Sequence, residues 1–129
     1  MKRFKFLWMS ILLCACYLGL SLLFLRTGIS LPYTYTLFLF VGAMYMDHTT
    51  TLKALKLGGK EANPFARLLF NKLGVGLGSL VVLILMTLFI VKVFSQSPAW
   101  QQLSMACVYW IVPINNLMVI RRLGRKQES

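Results

Sequence analysis

In a chain of 129 residues with 58% hydrophobic and 13% charged side chains, the apolar residues are gathered into long uncharged blocks, a pattern that excludes a water-soluble globular domain. The formal net charge of +11 would suit nucleic acid, but the cations sit at the ends of the apolar blocks rather than in one patch, so nucleic acid is excluded as a partner. The three cysteines make no disulfide framework: Cys14 and Cys16 lie on one apolar block and Cys107 falls at mid-membrane depth, so all three read as small apolar core residues.

A bilayer core about 30 Å thick takes roughly 20 apolar residues per helix, and the chain carries four blocks of that length or more. The first spans residues 6–25. Its basic start, followed by an apolar run, resembles a signal peptide, and Leu13-Cys14-Ala15-Cys16 loosely resembles a lipoprotein cleavage box. A signal core covers about 7 to 15 residues, whereas this block stays uncharged for about 20 before Arg26, so an uncleaved helix is expected. It has no charged side chain and offers no chemistry.

The second helix is expected over residues 31–57, starting at Ser30 or Leu31 with Pro32 in the first turn, where the missing N–H costs nothing. Tyr33 and Tyr35 fall at the outer headgroup level. Nothing stops the helix before Gly58-Gly59, so about 26 residues cover roughly 39 Å, and the end protrudes into the cytoplasm with Lys53 and Lys56 snorkelling. After it, Asn63 is a good N-cap and Pro64 a good first helical residue.

The third helix, residues 64–94, would be roughly 46 Å long and exceeds the bilayer core. A short juxtamembrane helix is therefore expected before a span over residues 73–92. Gly74, Gly76 and Gly78 would mark a bend or a close helix contact. Ser95-Gln96-Ser97-Pro98 breaks the chain, and the fourth helix follows over residues 98–120, with Trp100 at the outer interface and a kink from Pro113.

The result is an all-α, four-transmembrane-helix bundle, a single transmembrane domain over residues 1–129. Twelve of the fourteen lysines and arginines lie on one side if both termini are cytoplasmic, and only Arg26 and Lys92 fall outside. The chain is thus expected in the inner, cytoplasmic membrane of the cell. Its partners would be the lipid bilayer, anionic headgroups at the cytoplasmic face, and a second copy or another membrane protein.

Ionisable groups inside spans are costly and seek a partner. Asp47 falls about 22 Å below the outer boundary, with Thr50 and Thr51 on its face. Asn115 and Asn116 count down from Pro98 to about 26 Å, a similar depth on another helix. Glu61 and Asn63 cap the cytoplasmic side, and Lys72 opens the third span there. The candidate polar cluster is therefore Asp47, Thr50, Thr51, Glu61, Asn63, Lys72, Asn115 and Asn116, in the inner third. Asp47 is expected to pair with Lys72 by charge or with Asn115 or Asn116 through an amide.

The pattern Asp47-x-x-Thr50-Thr51, then Gly58-Gly59-Lys60-Glu61-Ala62-Asn63-Pro64, a lysine opening an apolar helix and a late asparagine resembles a family of small prokaryotic multi-pass membrane proteins of unknown function. The resemblance covers the second to the fourth helix and rests on Asp47, Thr51, Gly59, Glu61, Asn63, Pro64, Lys72 and one of the two asparagines. It implies a membrane fold and carries no activity, cofactor or catalytic residue.

Asp47, His48 and Glu61 have ligand side chains, but neighbours on a helix point about 100° apart and a catalytic zinc site takes three protein ligands, so no metal is expected. Serines without a nearby histidine and the lack of a phosphate loop leave no nucleophilic or cofactor chemistry. The expectation is a non-enzymatic binding or assembly factor. The alternative is a small ion- or proton-coupled transporter using Asp47 and Glu61, for which no acidic group in the outer half completes a path. Reporter fusions or cysteine labelling should place the chain near Gly59 and Gly124 in the cytoplasm and near Gly28 and Gln96 outside; an outward C-terminus would refute four spans.

Overall fold

Five helical segments and no strand occur among the described residues of this computed structural model, which are 2–29, 31–61 and 63–128. Ser30, one of the expected starts of the second helix, and Ala62 of the glycine-rich connection lie outside the described residues. Helix α1 covers Lys2–Thr27, and α2 covers Tyr33–Lys56. Pro32 stands just outside α2 as its N-cap, rather than in the first turn. Its carbonyl accepts from the Thr36 N–H at 3.2 Å and the Thr36 hydroxyl at 3.4 Å.

The end of α2 is a Schellman motif. Gly58 donates its N–H to Leu55 O at 3.0 Å and Gly59 donates to Ala54 O at 2.8 Å. The pair needs a left-handed residue, supplied by Gly58 at φ 82°. The chain then enters α3, Pro64–Gln96, through the Asn63 N-cap, whose side chain accepts from Phe65 N and Ala66 N, with Pro64 in the first turn as expected.

Helix α3 is divided at Gly74, where φ 78° and ψ 162° leave helical geometry for a region open to glycine alone. The corner is tight. A Cβ on Gly78 would stand 2.9 Å from the Leu69 carbonyl oxygen and 2.9 Å from the Phe70 ring. In a straight helix positions 69 and 78 would lie about 13.5 Å apart, so residues 64–73 fold back over the start of the longer segment. The close glycine contact is thus made within one helix, at a bend.

Helix α4, Ala99–Tyr109, and α5, Ile111–Glu128, are separated only by Trp110, itself in the right-handed helical region. They form one bent rod that runs past the expected end at Ile120, because Arg121–Glu128 holds good helix formers and no proline, with Gly124 its one weak position.

Helix α2 is central: it packs against α3, α4 and α5, while α1 packs on α4. The core lies where Phe40 and Met44 of α2 meet Ile90 and Phe94 of α3 and Ala106 of α4. Helices α1 and α3 keep large apolar side chains exposed, as at Leu18, Leu22, Leu88 and Phe89. Cys14 is exposed on α1 rather than a core residue.

Three helices are long and apolar enough to cross a membrane: Trp8–Thr27, Pro64–Gln96 and Ala99–Lys126, with mean hydropathies of 2.1, 2.6 and 1.7. This makes the chain a membrane protein. Helix α2 is not among them, since tyrosines and threonines at its start and Asp47, His48 and Thr49–Thr51 near its end lower its hydropathy.

Replacing Gly74 by alanine should lower stability in detergent by about 1–3 kcal/mol through backbone strain. Gly78→Ala should also destabilise, whereas Gly76→Ala, whose Cβ would meet nothing within 4 Å, should not. Thermal unfolding of the three variants checks the corner, and equal behaviour would refute it.

Candidate functional site

The bend of the α4–α5 rod follows from Pro113, which is fully buried. Proline has no N–H to give the Tyr109 carbonyl one turn back, and its ring would collide with that oxygen. The ladder therefore shifts at Trp110, whose N–H bonds to Cys107 O at 3.3 Å while its own carbonyl accepts from Ile114 N at 3.3 Å. The helix is interrupted at the expected place, with Tyr109 at the end of one segment and Asn116 about one and a half turns into the next.

Both residues meet Asp47 on α2. The Tyr109 hydroxyl donates to Asp47 Oδ2 at 3.0 Å, and Asn116 Nδ2 donates to Asp47 Oδ1 at 2.8 Å. The Thr51 hydroxyl, one turn along α2, donates to Oδ1 at 3.3 Å. Asn116 Nδ2 also lies 3.1 Å from Thr51 Oγ1 and 3.3 Å from Thr50 Oγ1. Thr50 in turn donates to Met46 O at 2.6 Å, so its oxygen is free to accept. One half-buried carboxylate thus takes three donors from three helices.

The Tyr109 ring has a second face to serve. Phe40 lies against it at 4.8 Å between centroids and against Phe94 at 5.1 Å with a 71° interplanar angle. Tyr109 therefore joins the apolar core to the polar cluster, as an amphipathic ring can. Two further side chains tie the rod to its neighbours. Trp110 Nε1 donates to Leu39 O at 3.1 Å, its indole lying over Gly42. Buried Gln102 donates through Nε2 to Phe94 O at 2.6 Å and Ser97 O at 2.9 Å, closing the end of α3.

Of the expected cluster, Asp47, Thr50, Thr51 and Asn116 come together. Glu61 and Asn63 organise the connection: Glu61 Oε1 accepts from Asn63 N at 2.8 Å, and Asn63 Oδ1 accepts from Phe65 N at 3.0 Å. Lys72 and Asn115 make no hydrogen bond to Asp47 among the described residues; Lys72 is exposed just before the Gly74 corner. Only one of two adjacent asparagines can face α2, because they point about 100° apart.

Tyr109, Trp110 and Gln102 were not on the sequence-based roster. Tyr109 carries a signal: it stands seven positions before Asn116, on the same helix face, and four before Pro113. Among the described residues no group of three or more His, Cys, Asp or Glu side chains is placed to hold a metal ion. No family model, curated protein or solved structure matches the chain.

The geometry makes Asp47 and Asn116 one energetic unit. Asp47→Ala and Asn116→Ala should each lower the unfolding temperature in detergent. The double variant should cost about 0.5–2 kcal/mol less than the sum of the two. Asn115→Ala combined with Asp47→Ala should be additive, and the reverse pattern would show that the wrong asparagine had been assigned.

Proposed function

We propose that the chain is a four-span protein of the cell's inner membrane, both termini cytoplasmic, acting as a non-enzymatic binding or assembly factor. Helix α2 is the fourth span in this reading. Its modest hydropathy is no obstacle when its polar groups are satisfied internally. Thr36, Thr49 and Thr50 donate to carbonyls one turn back, Asp47 takes donors from its own helix and the rod, and α2 packs against α3, α4 and α5. Residues 64–73 form the juxtamembrane helix, and the lysines and arginines at that end neighbour anionic headgroups.

The observation that carries the functional reading is the state of Asp47. With Tyr109, Asn116 and Thr51 all donating to it, the carboxylate serves as a structural anchor, which supports the non-enzymatic reading. The apolar outer sides of α1 and α3 are then the surfaces available to lipid, a second copy or another membrane protein. The motif resemblance adds a membrane fold and no activity.

Photo-crosslinkers at Leu22 and Leu88 in native membranes should yield discrete protein adducts by mass spectrometry. Purified protein in proteoliposomes should carry no proton or sodium flux above protein-free vesicles. A flux abolished by Asp47→Asn at unchanged stability would instead establish the transporter, with Asp47 exchanging its donors for the ion and Glu61 as the second carboxylate.

A further inference from the structure

The folded-back segment before Gly74 has two unlike sides. Ala66 is buried and Leu69 and Phe70 are half-buried, the stripe that Gly78 receives. The other stripe, Phe65, Leu68 and Lys72, follows the i, i+3, i+7 spacing of one helix face. Phe65 is 54% and Leu68 51% exposed, and Arg67 and Lys72 are exposed beside them. A short helix that leaves large apolar side chains uncovered between cations has the character of an element lying in a membrane interface.

The surrounding charge points the same way. A Cβ on Gly59 would come within 3.3 Å of Leu123 Cδ1, so the α2–α3 connection sits beside the basic end of α5. Lys60, Arg67 and Lys72 therefore share one end of the molecule with Arg121, Arg122 and Arg125, all exposed. Juxtamembrane cations of this kind are attracted to acidic lipid within a Debye length of the surface. Apolar side chains and cations on one short helix match the two layers of a leaflet, with acyl chains below and phosphates above. A soluble acidic protein would satisfy the cations and leave Phe65 and Leu68 without a complement.

We infer that residues 64–73 dock on the anionic phospholipid of the cytoplasmic leaflet, Phe65 and Leu68 entering the acyl boundary and Arg67 and Lys72 holding phosphate oxygens. The inference rests on the proposed cytoplasmic placement of this end. The Gly74 corner gives the segment its purpose: it turns residues 64–73 back to the start of the span, from which a straight α3 would carry them away.

The test uses the full chain with Cys14, Cys16 and Cys107 replaced by alanine and an environment-sensitive nitrobenzoxadiazole fluorophore on Leu68→Cys. In nanodiscs of phosphatidylcholine alone the label should be quenched by aqueous iodide. Added phosphatidylglycerol should shift its emission to the blue and protect it. Removing either cation, Arg67→Gln or Lys72→Gln, should raise the phosphatidylglycerol fraction needed for half the change about fivefold, with circular dichroism unchanged. The same emission in both lipids, or a shift produced equally by soluble polyphosphate, overturns the inference. An impermeant maleimide on Lys60→Cys separates the two readings. Labelling from the inner side with no lipid response defeats the docking alone, whereas labelling from the outer side defeats the topology and the docking with it.

Discussion

A carboxylate enclosed by helices must take its donors from the chain, and where Asp47 finds them decides how α2 sits against the α4–α5 rod. Its two oxygens are bonded from opposite sides of a bend, Oδ2 by Tyr109 before Trp110 and Oδ1 by Asn116 after it. In an unbent helix these two donors would stand about 10.5 Å apart along the axis. Pro113 removes the one hydrogen bond that would straighten that turn. Sliding α2 by a single turn would move Asp47 about 5.4 Å and strand both donors, so the carboxylate sets the register of the central helix.

The remaining polar contacts extend this anchoring along the rod. Gln102 fastens its beginning to the end of α3, Trp110 bonds α2 at Leu39, and Asp47 takes the last position. Between them Phe40 lies against both Phe94 and Tyr109, so apolar packing and hydrogen bonding alternate over the same interface. Interhelical hydrogen bonds in membranes average about 0.6 kcal/mol each, which makes their number and spacing, rather than the strength of any one, the source of a unique arrangement. The polar atoms of α2 are in this way turned from an obstacle to burial into its address.

The Gly74 corner answers a different constraint, which is length. A helix of 33 residues is roughly 50 Å long and cannot stand upright in a hydrocarbon core of about 30 Å. Glycine at 74 permits the backbone to leave the helix, and glycine at 78 lets the returned segment lie close. The excess length becomes a folded-back segment with its own apolar and cationic sides. The cationic end of α5, brought beside the connection through Leu123 and Gly59, gathers the basic residues of three chain segments at one end of the molecule.

The elements themselves were legible in the sequence. Charge-to-charge spacing delimited the apolar blocks, Gly58-Gly59 and Asn63-Pro64 punctuated α2 and α3 by backbone rules that need no neighbour, and Pro113 announced a bend because its missing N–H is a local fact. Depth counted from Pro32 and Pro98 brought Asp47 level with Asn115 and Asn116, since helical rise is constant. Counting depth does not fix azimuth, however. Which asparagine faces α2, that Tyr109 reaches across the bend to the same carboxylate, and that Lys72 takes no part in the cluster all depend on how helices rotate and pack, and on a corner whose direction one glycine does not specify. The sequence by itself determined an apolar helical membrane chain with a polar layer near one end. Only the tertiary structure decided which side chains meet in that layer, because hydrogen bonding is directional and the directions are set by contacts between segments that lie more than sixty residues apart.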